Sequence, residues 1–412
     1  MVDFNTIAGY KVPEVNENVR FNYSHTEIEK IIKKYSFATN EDISSLVYRT
    51  ALMVCGVKVE DEETLELLTN STNYKDFTRY IRVAGVVNDR RLALRIVPEF
   101  WENESPKIST RFNLSKNGIY IDGTKVAELS SLFVIDPIKT LAYITTNAEK
   151  ETLLMLNPMQ LCPQDCAFCY KGYRHMTSDY KDSLNHMDAK QMCEYLKHEM
   201  PDVDYAEVSE VMTLTGRFND SFQLMNYLEQ LYHGLLDISS GKFDPVNNNF
   251  QRIKISTHLL RNVYDMQRAK RLGVKRFAYP LEIVNDQLRK RYMYNENHTE
   301  NKGANTFDDI LKELEEASNV FGRNNVEVFV VIGIDTHQDM MKGLQQLNDL
   351  GYKIVTYNPL WVYFNDQIRL YQMSLEEIVD TIMYIEENFA NGYKQHINFN
   401  VKYADKPFKK IS

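Results

Sequence analysis

Nowhere does the chain approach the run of about 18 apolar residues that a membrane-crossing helix needs. Its opening stretch, MVDFNTIAGYKVPEVNENVR, also lacks a basic head followed by an apolar segment, so no secretory signal is read there. Basic charge is not in excess: 48 Lys and Arg stand against 57 Asp and Glu, for a net charge of −9. That balance argues against a protein whose main task is to grip phosphate backbones. Cysteine is scarce and odd in number, five in 412 residues, which is a poor basis for a disulfide framework. Apolar residues at 43% and charged residues at 25% exclude a disordered or collagen-like chain. At roughly 150 residues per domain, the expectation is a soluble cytoplasmic protein of two or three domains.

Residues 1–150 and 151–412 differ in pattern. The first part opens with helical signals at Thr26–Ile32, Asn40–Cys55 and Glu62–Leu68. Strand-like runs follow at Leu92–Val97 and Thr110–Leu114, and the turn pairs Asn117-Gly118 and Asp122-Gly123 flank Ile119-Tyr120-Ile121. This predicts a smaller α+β domain over 1–150, with no phosphate loop, repeat or low-complexity tract to name its role. Thereafter strands alternate with helices. The strands are Thr152–Leu156, Ala206–Leu214, Ile253–Ser256, Val274–Tyr279, Val326–Ile332 and Lys353–Tyr357. The helices are His186–His198, Ser221–His233, Arg261–Leu272, Phe307–Phe321 and Gln338–Leu350, with Thr306 and Asp309 capping the fourth. Such alternation means parallel strands with right-handed crossovers, in either an open doubly wound sheet or a barrel. In both, ligands sit at the carboxyl ends of the strands.

Directly after the first of these strands comes CPQDCAFCY, residues 162–170. Thiolates bind soft metals and iron–sulfur clusters. Cys162, Cys166 and Cys169 can hold three irons of a four-iron cluster and leave the fourth open to another ligand. The plainer alternative is a structural zinc site, with His175 as the fourth ligand.

In the spacing of Cys162, Cys166 and Cys169, with Phe168 before the third, the chain resembles the radical S-adenosylmethionine (SAM) enzymes. The resemblance spans about residues 150–360. It implies a partial (β/α)6 barrel of the TIM type over 151–360 and a helical extension over 361–412 packing on it, with residues 1–150 recognising substrate or covering the site. It also implies a [4Fe–4S] cluster and SAM as cofactors, and an electron donor such as a flavodoxin or ferredoxin. Other family positions carry over singly. The family's Gly-Gly-Glu-Pro-like run is here Thr213-Leu214-Thr215-Gly216-Arg217-Phe218. Thr215 and Gly216 keep the backbone contact to the methionine moiety, and Arg217 replaces the carboxylate and is free to anchor an anionic substrate. Ser256 and Glu282 match ribose- or carboxylate-contacting positions, Phe168 and Gly333 flank adenine, and Asn358 lies in the segment whose backbone meets it. His258 and Asp335 join Arg217 as candidate catalytic groups at strand ends.

The implied activity is reductive cleavage of SAM to methionine and a 5′-deoxyadenosyl radical. That radical takes hydrogen from a small metabolite or peptide, in a rearrangement, epimerisation, elimination or dehydrogenation. Cys55 and Cys193 are too few for a conventional auxiliary cluster, and residues 360–412 contain no cysteine, so sulfur-inserting subclasses are set aside. The basic residues Lys270, Arg271, Lys275, Arg276, Arg289, Lys290 and Arg291 keep tRNA as an alternative substrate, against the net charge. A non-catalytic zinc or iron–sulfur scaffold is the second alternative.

Overall fold

The computed structural model describes residues 6–7, 10–11, 21–35, 43–59, 62–63, 81–87, 90–96, 110–115, 117–134, 141–146, 151–158, 162, 164, 166–169, 187–214, 218, 220–294, 301–360 and 370–389. The chain forms two compact units. One comprises Met1–Asp136, Val331–Lys342 and Asn358–Tyr384; the other comprises Pro137–Val330, Gly343–Tyr357 and Ile385–Ser412. No helix among the described residues is long and apolar enough to cross a membrane.

The first unit holds a short hairpin of β1 (Thr6–Ile7) and β2 (Tyr10–Lys11), then helices α1 (His25–Tyr35) and α2 (Ile43–Cys55). Its larger sheet is built from β3 (Lys58–Val59), β4 (Ile81–Val87), β5 (Arg90–Ile96), β6 (Phe112–Ser115), β7 (Gly118–Ile121) and β8 (Thr124–Val134). The order is β3-β6-β7-β8-β4-β5, antiparallel except where β3 meets β6. Asp122 and Gly123 make the two-residue turn between β7 and β8, both at positive φ (49° and 78°), as an Asp-Gly hairpin requires. The Glu62–Leu68 helix expected from sequence lies largely outside the described residues.

The second unit supplies the site. Its sheet contains β9 (Ala142–Thr146), β10 (Thr152–Leu156), β11 (Val208–Leu214), β12 (Arg252–Ser256), β13 (Val274–Glu282), β14 (Val326–Ile332) and β15 (Ile354–Pro359), in that spatial order. β9 is antiparallel to β10, and the steps from β10 to β14 are all parallel. The sheet thus takes in a strand ahead of residue 151. The crossover helices are α3 (Ala189–Glu199), α4 (Ser221–Ile238), α5 (Val263–Arg271), α6 (Asp286–Met293), α7 (Phe307–Phe321) and α8 (His337–Asp349), with α9 (Leu375–Asn388) after β15. Each of α3 to α7 starts on an Asp, Asn or Thr whose side chain accepts from an amide of the first turn.

Strand order decides between the two architectures left open by the sequence. A doubly wound sheet reverses its order at a switch point, whereas here the order never reverses. Right-handed crossovers in one direction place all helices on one face. That face is the apolar one. Leu154, Leu156, Val211, Ile253, Ile255, Val326, Val328 and Val330 are fully buried, each worth roughly 1.5–3 kcal/mol by burial. Phe277 of β13 stacks on Phe321 of α7 at 5.8 Å.

The opposite face carries Glu210, Arg252, Lys254, Arg276, Glu327 and Thr356. Arg252 and Arg276 meet Glu210 at 2.7 and 3.5 Å. Lys254 of β12 meets Glu327 of β14 at 2.5 Å, which in turn accepts from Thr356 of β15. Strands two apart lie about 10 Å from each other, so these side chains lean together over β13, as on a concave face. The sheet is a partial barrel, with β9 and β15 at its open edges.

Candidate active site

β10 delivers the cysteine loop to the carboxyl edge of the parallel strands. Asn157 donates to Leu141 O (2.7 Å), and Met187 donates to Pro158 O (3.0 Å), which ties the two ends of the loop. Within it Cys169 N–H bonds Cys166 O at 3.0 Å, so Ala167 and Phe168 make a tight turn. Cys166 and Phe168 are buried, Cys162 and Cys169 are half-buried, and all three cysteines are free of disulfides.

The loop is held from outside. Ala167 N–H bonds Tyr292 O at 2.8 Å. Gln164, buried between the first two cysteines in sequence, accepts from Lys302 N–H at 3.1 Å and approaches His258 Nε2 at 3.5 Å. His258 and Ser256 stand at the end of β12, with His258 buried and Ser256 half-buried. The end of β13 contributes Glu282. Its φ is 61°, rare for a residue with a side chain, at a register shift where β13 pairs β14. Its carboxylate is paired with the Lys302 ammonium, and the two side chains are only 15% and 10% exposed. Strain held at a buried charged residue beside a strand end fits a functional position.

Electrostatics couple these groups. Burial pushes the Cys166 thiol well above its ordinary pKa, against a lowering by Lys302, and Glu282, Cys169 and Cys162 push it further up. Burial opposes the charge on Lys302, but Glu282 and the thiols of Cys166 and Cys162 outweigh it and hold its pKa above the usual lysine value. Among the described residues no group of three or more His, Cys, Asp or Glu side chains is gathered to hold one metal ion. Three thiolates that each reach a different iron of a cluster need no such convergence on a point. The three cysteines outside any disulfide, the turn from Cys166 to Cys169 and the neighbouring cation fit an anionic iron–sulfur cluster.

His175, Thr215, Gly216 and Arg217 lie outside the described residues. Gly333 follows β14 with φ 116°, and a side-chain carbon there would stand 3.0 Å from the Tyr371 ring; the space left by the missing side chain is used by this chain's own tyrosine. Asp335 is fully buried in the turn before α8, and Asn358 is half-buried in β15. Cys193 packs under α4, where a side chain at Gly234 would collide with its sulfur, and burial raises its pKa to about 12.

The basic run is not one solvated face. Arg289 is wholly buried and donates to the carbonyls of Ile283, Val284 and Asn305. Lys275 donates to Asn248 O and Gln251 O, and Lys270 to Val320 O. Sequence reading passed over Lys302, Gln164 and Tyr292, because none stands at a strand end and no periodicity marks them.

No family model and no curated protein matches the chain. Among solved structures it is similar to HydG, a maturase of the [FeFe]-hydrogenase (12% identity, TM-score 0.40, covering 57% of this chain and 48% of that one). It is also similar to coproporphyrinogen III oxidase HemN from Escherichia coli, a radical SAM enzyme (14%, 0.39, 57% and 52%). A third is anSMEcpe with bound AdoMet (10%, 0.38, 58% and 62%). The chain spans about half the length of the first of these proteins. What it is similar to, over somewhat more than half of its own length, is thus a set of structures that includes a named radical SAM enzyme.

Proposed function

We propose that this chain is a radical SAM enzyme in which Cys162, Cys166 and Cys169 hold a [4Fe–4S] cluster with one iron open to SAM. The observation that carries the reading is the three-cysteine loop itself. It leaves the first parallel strand of a partial barrel at its carboxyl end and is buttressed there by Gln164, Lys302 and the Tyr292 carbonyl. When bound, the cluster and SAM supply one-electron cleavage to methionine and a 5′-deoxyadenosyl radical able to take hydrogen from an unactivated C–H bond. The chain supplies the rest. Cys162, Cys166 and Cys169 would hold three irons of the cluster, with Cys162 and Cys169 half-buried and Cys166 buried. Glu282 and Ser256 are the side chains offered to the ribose, and Phe168 is the ring offered to the adenine. His258, steadied by Gln164, is the candidate proton-handling group, and Arg217 the candidate anchor for a carboxylate or phosphate of the substrate.

A small metabolite or peptide is the favoured substrate class. What supports it over tRNA is the fate of the basic run, whose members Arg289, Lys275, Lys270 and Arg276 are committed to internal partners. A flavodoxin- or ferredoxin-type donor in the cytoplasm is the proposed source of the electron. Anaerobic reconstitution should give a brown protein with about four irons per chain that releases 5′-deoxyadenosine from SAM under reducing conditions. Stoichiometric zinc without iron would overturn the reading.

A further inference from the structure

Lys302 is a buried cation with no counterpart among the expected site residues. Its backbone N–H is bonded to Gln164 inside the cysteine loop, and its ammonium to Glu282 at the end of β13. The side chain is 10% exposed, so water screens its charge poorly. Neighbouring backbone fixes it further: Asn301 Oδ1 accepts from Gly303 N–H at 3.1 Å, and any side chain at Gly303 would collide with the backbone of Met293 and Tyr294. The backbone that presents the lysine is thus held in place, and the Glu282 carboxylate holds its ammonium.

We propose that Lys302 sets the reduction potential of the cluster held by Cys162, Cys166 and Cys169, with Glu282 as the opposing charge. The assignment rests on the cluster reading above. One-electron reduction, from a low-potential donor of the ferredoxin or flavodoxin class, places one more negative charge on the cluster and moves no proton or bond. A fixed cation beside the thiolates stabilises that added charge. A carboxylate at the same place resists it. Glu282 is thus both the anchor that holds the ammonium in position and a brake on its effect, and the two residues act on the potential with opposite signs.

That opposition is the test. The wild-type protein is loaded anaerobically, assayed for iron and acid-labile sulfide, and titrated without SAM while the reduced cluster is followed by EPR. Lys302→Met should make one-electron reduction at least tenfold less favourable, a midpoint shift of about 59 mV to more negative values. Glu282→Gln should shift the midpoint the other way, and Lys302→Arg should stay near wild type. Should Lys302→Met fail to load its cluster, the Glu282→Gln and Lys302→Arg arms still carry the sign. Midpoints that do not move, or that move in the same direction in Lys302→Met and Glu282→Gln, overturn the assignment while leaving the cluster standing. Absence of iron and sulfide from the wild type overturns the cluster reading, and this inference with it.

Discussion

Arg289 shows how little a residue's type says about its place. In sequence it belongs to a run, Arg289-Lys290-Arg291, that reads as a wet helix face. In the fold it is fully buried, and its guanidinium joins the exit of β13 at Ile283 and Val284 to Asn305, and meets the Asp286 carboxylate at 3.0 Å. The planar fork offers donors in several fixed directions, so that it reaches carbonyls of Ile283, Val284 and Asn305 from one side chain, a spread that the single nitrogen of an ammonium does not match. Arg289→Met should cost about 3–5 kcal/mol in denaturant unfolding, because buried carbonyls lose their donor. Arg289→Lys should recover little of this. If the lysine variant unfolds like wild type, the planar fork is not what matters. The cysteine motif was legible because its three members lie within eight residues of the chain itself. The contact of Gln164 with Lys302 was not, because the fold brings Lys302 to the motif from 138 residues away.

At the scale of elements the sequence was a close guide wherever local chemistry decides. Strands β10 and β14 and helix α7 fall where periodicity and the Thr306–Asp309 capping box put them. The capping box of Asp188 and Gln191 starts α3 three residues later than apolar spacing alone suggested. The Asp122-Gly123 turn was also readable, but not its second task. Asp122 accepts from the backbone N–H of His25 at 2.9 Å, one of the orphan amides at the start of α1, and pairs with Arg111. The His25 amide, and then Arg111, hold its carboxyl below the ordinary aspartate range. A depressed carboxylate contributes stability that is present above its unfolded pKa near 3.9 and is lost as pH falls through its folded value. Asp122→Ala should cost about 1 kcal/mol at neutral pH. Asp122→Asn tolerates the positive φ and should mainly flatten the loss of stability below about pH 4. Parallel acid limbs for wild type and the asparagine variant in urea unfolding at stepped pH would sink this.

Across the whole α/β sheet, one-directional strand order explains what periodicity concealed. Right-handed crossovers put the crossover helices on one side, and charged residues on the other face pair with one another. The strand Arg252-Ile253-Lys254-Ile255-Ser256 alternates as though one face were in water, yet Lys254 is 5% exposed. Sequence alternation reports that the two faces differ, not which of them is solvated. The Lys254–Glu327 pair, closed by Thr356, joins β12, β14 and β15 across the concave side. Bringing two charges out of water offsets most of their attraction, so the pair itself adds little net stability, but neither member tolerates the loss of the other. Glu327→Leu and Lys254→Met should therefore each cost about 3–5 kcal/mol. The double variant Lys254→Met/Glu327→Leu should lie well above the sum of the two, within about 2 kcal/mol of wild type, because no uncompensated charge remains. Guanidinium unfolding of the four proteins measures this directly. Additive losses would mean that the two side chains contribute separately, and that the concave face is held by its strands rather than by the charges facing each other across it.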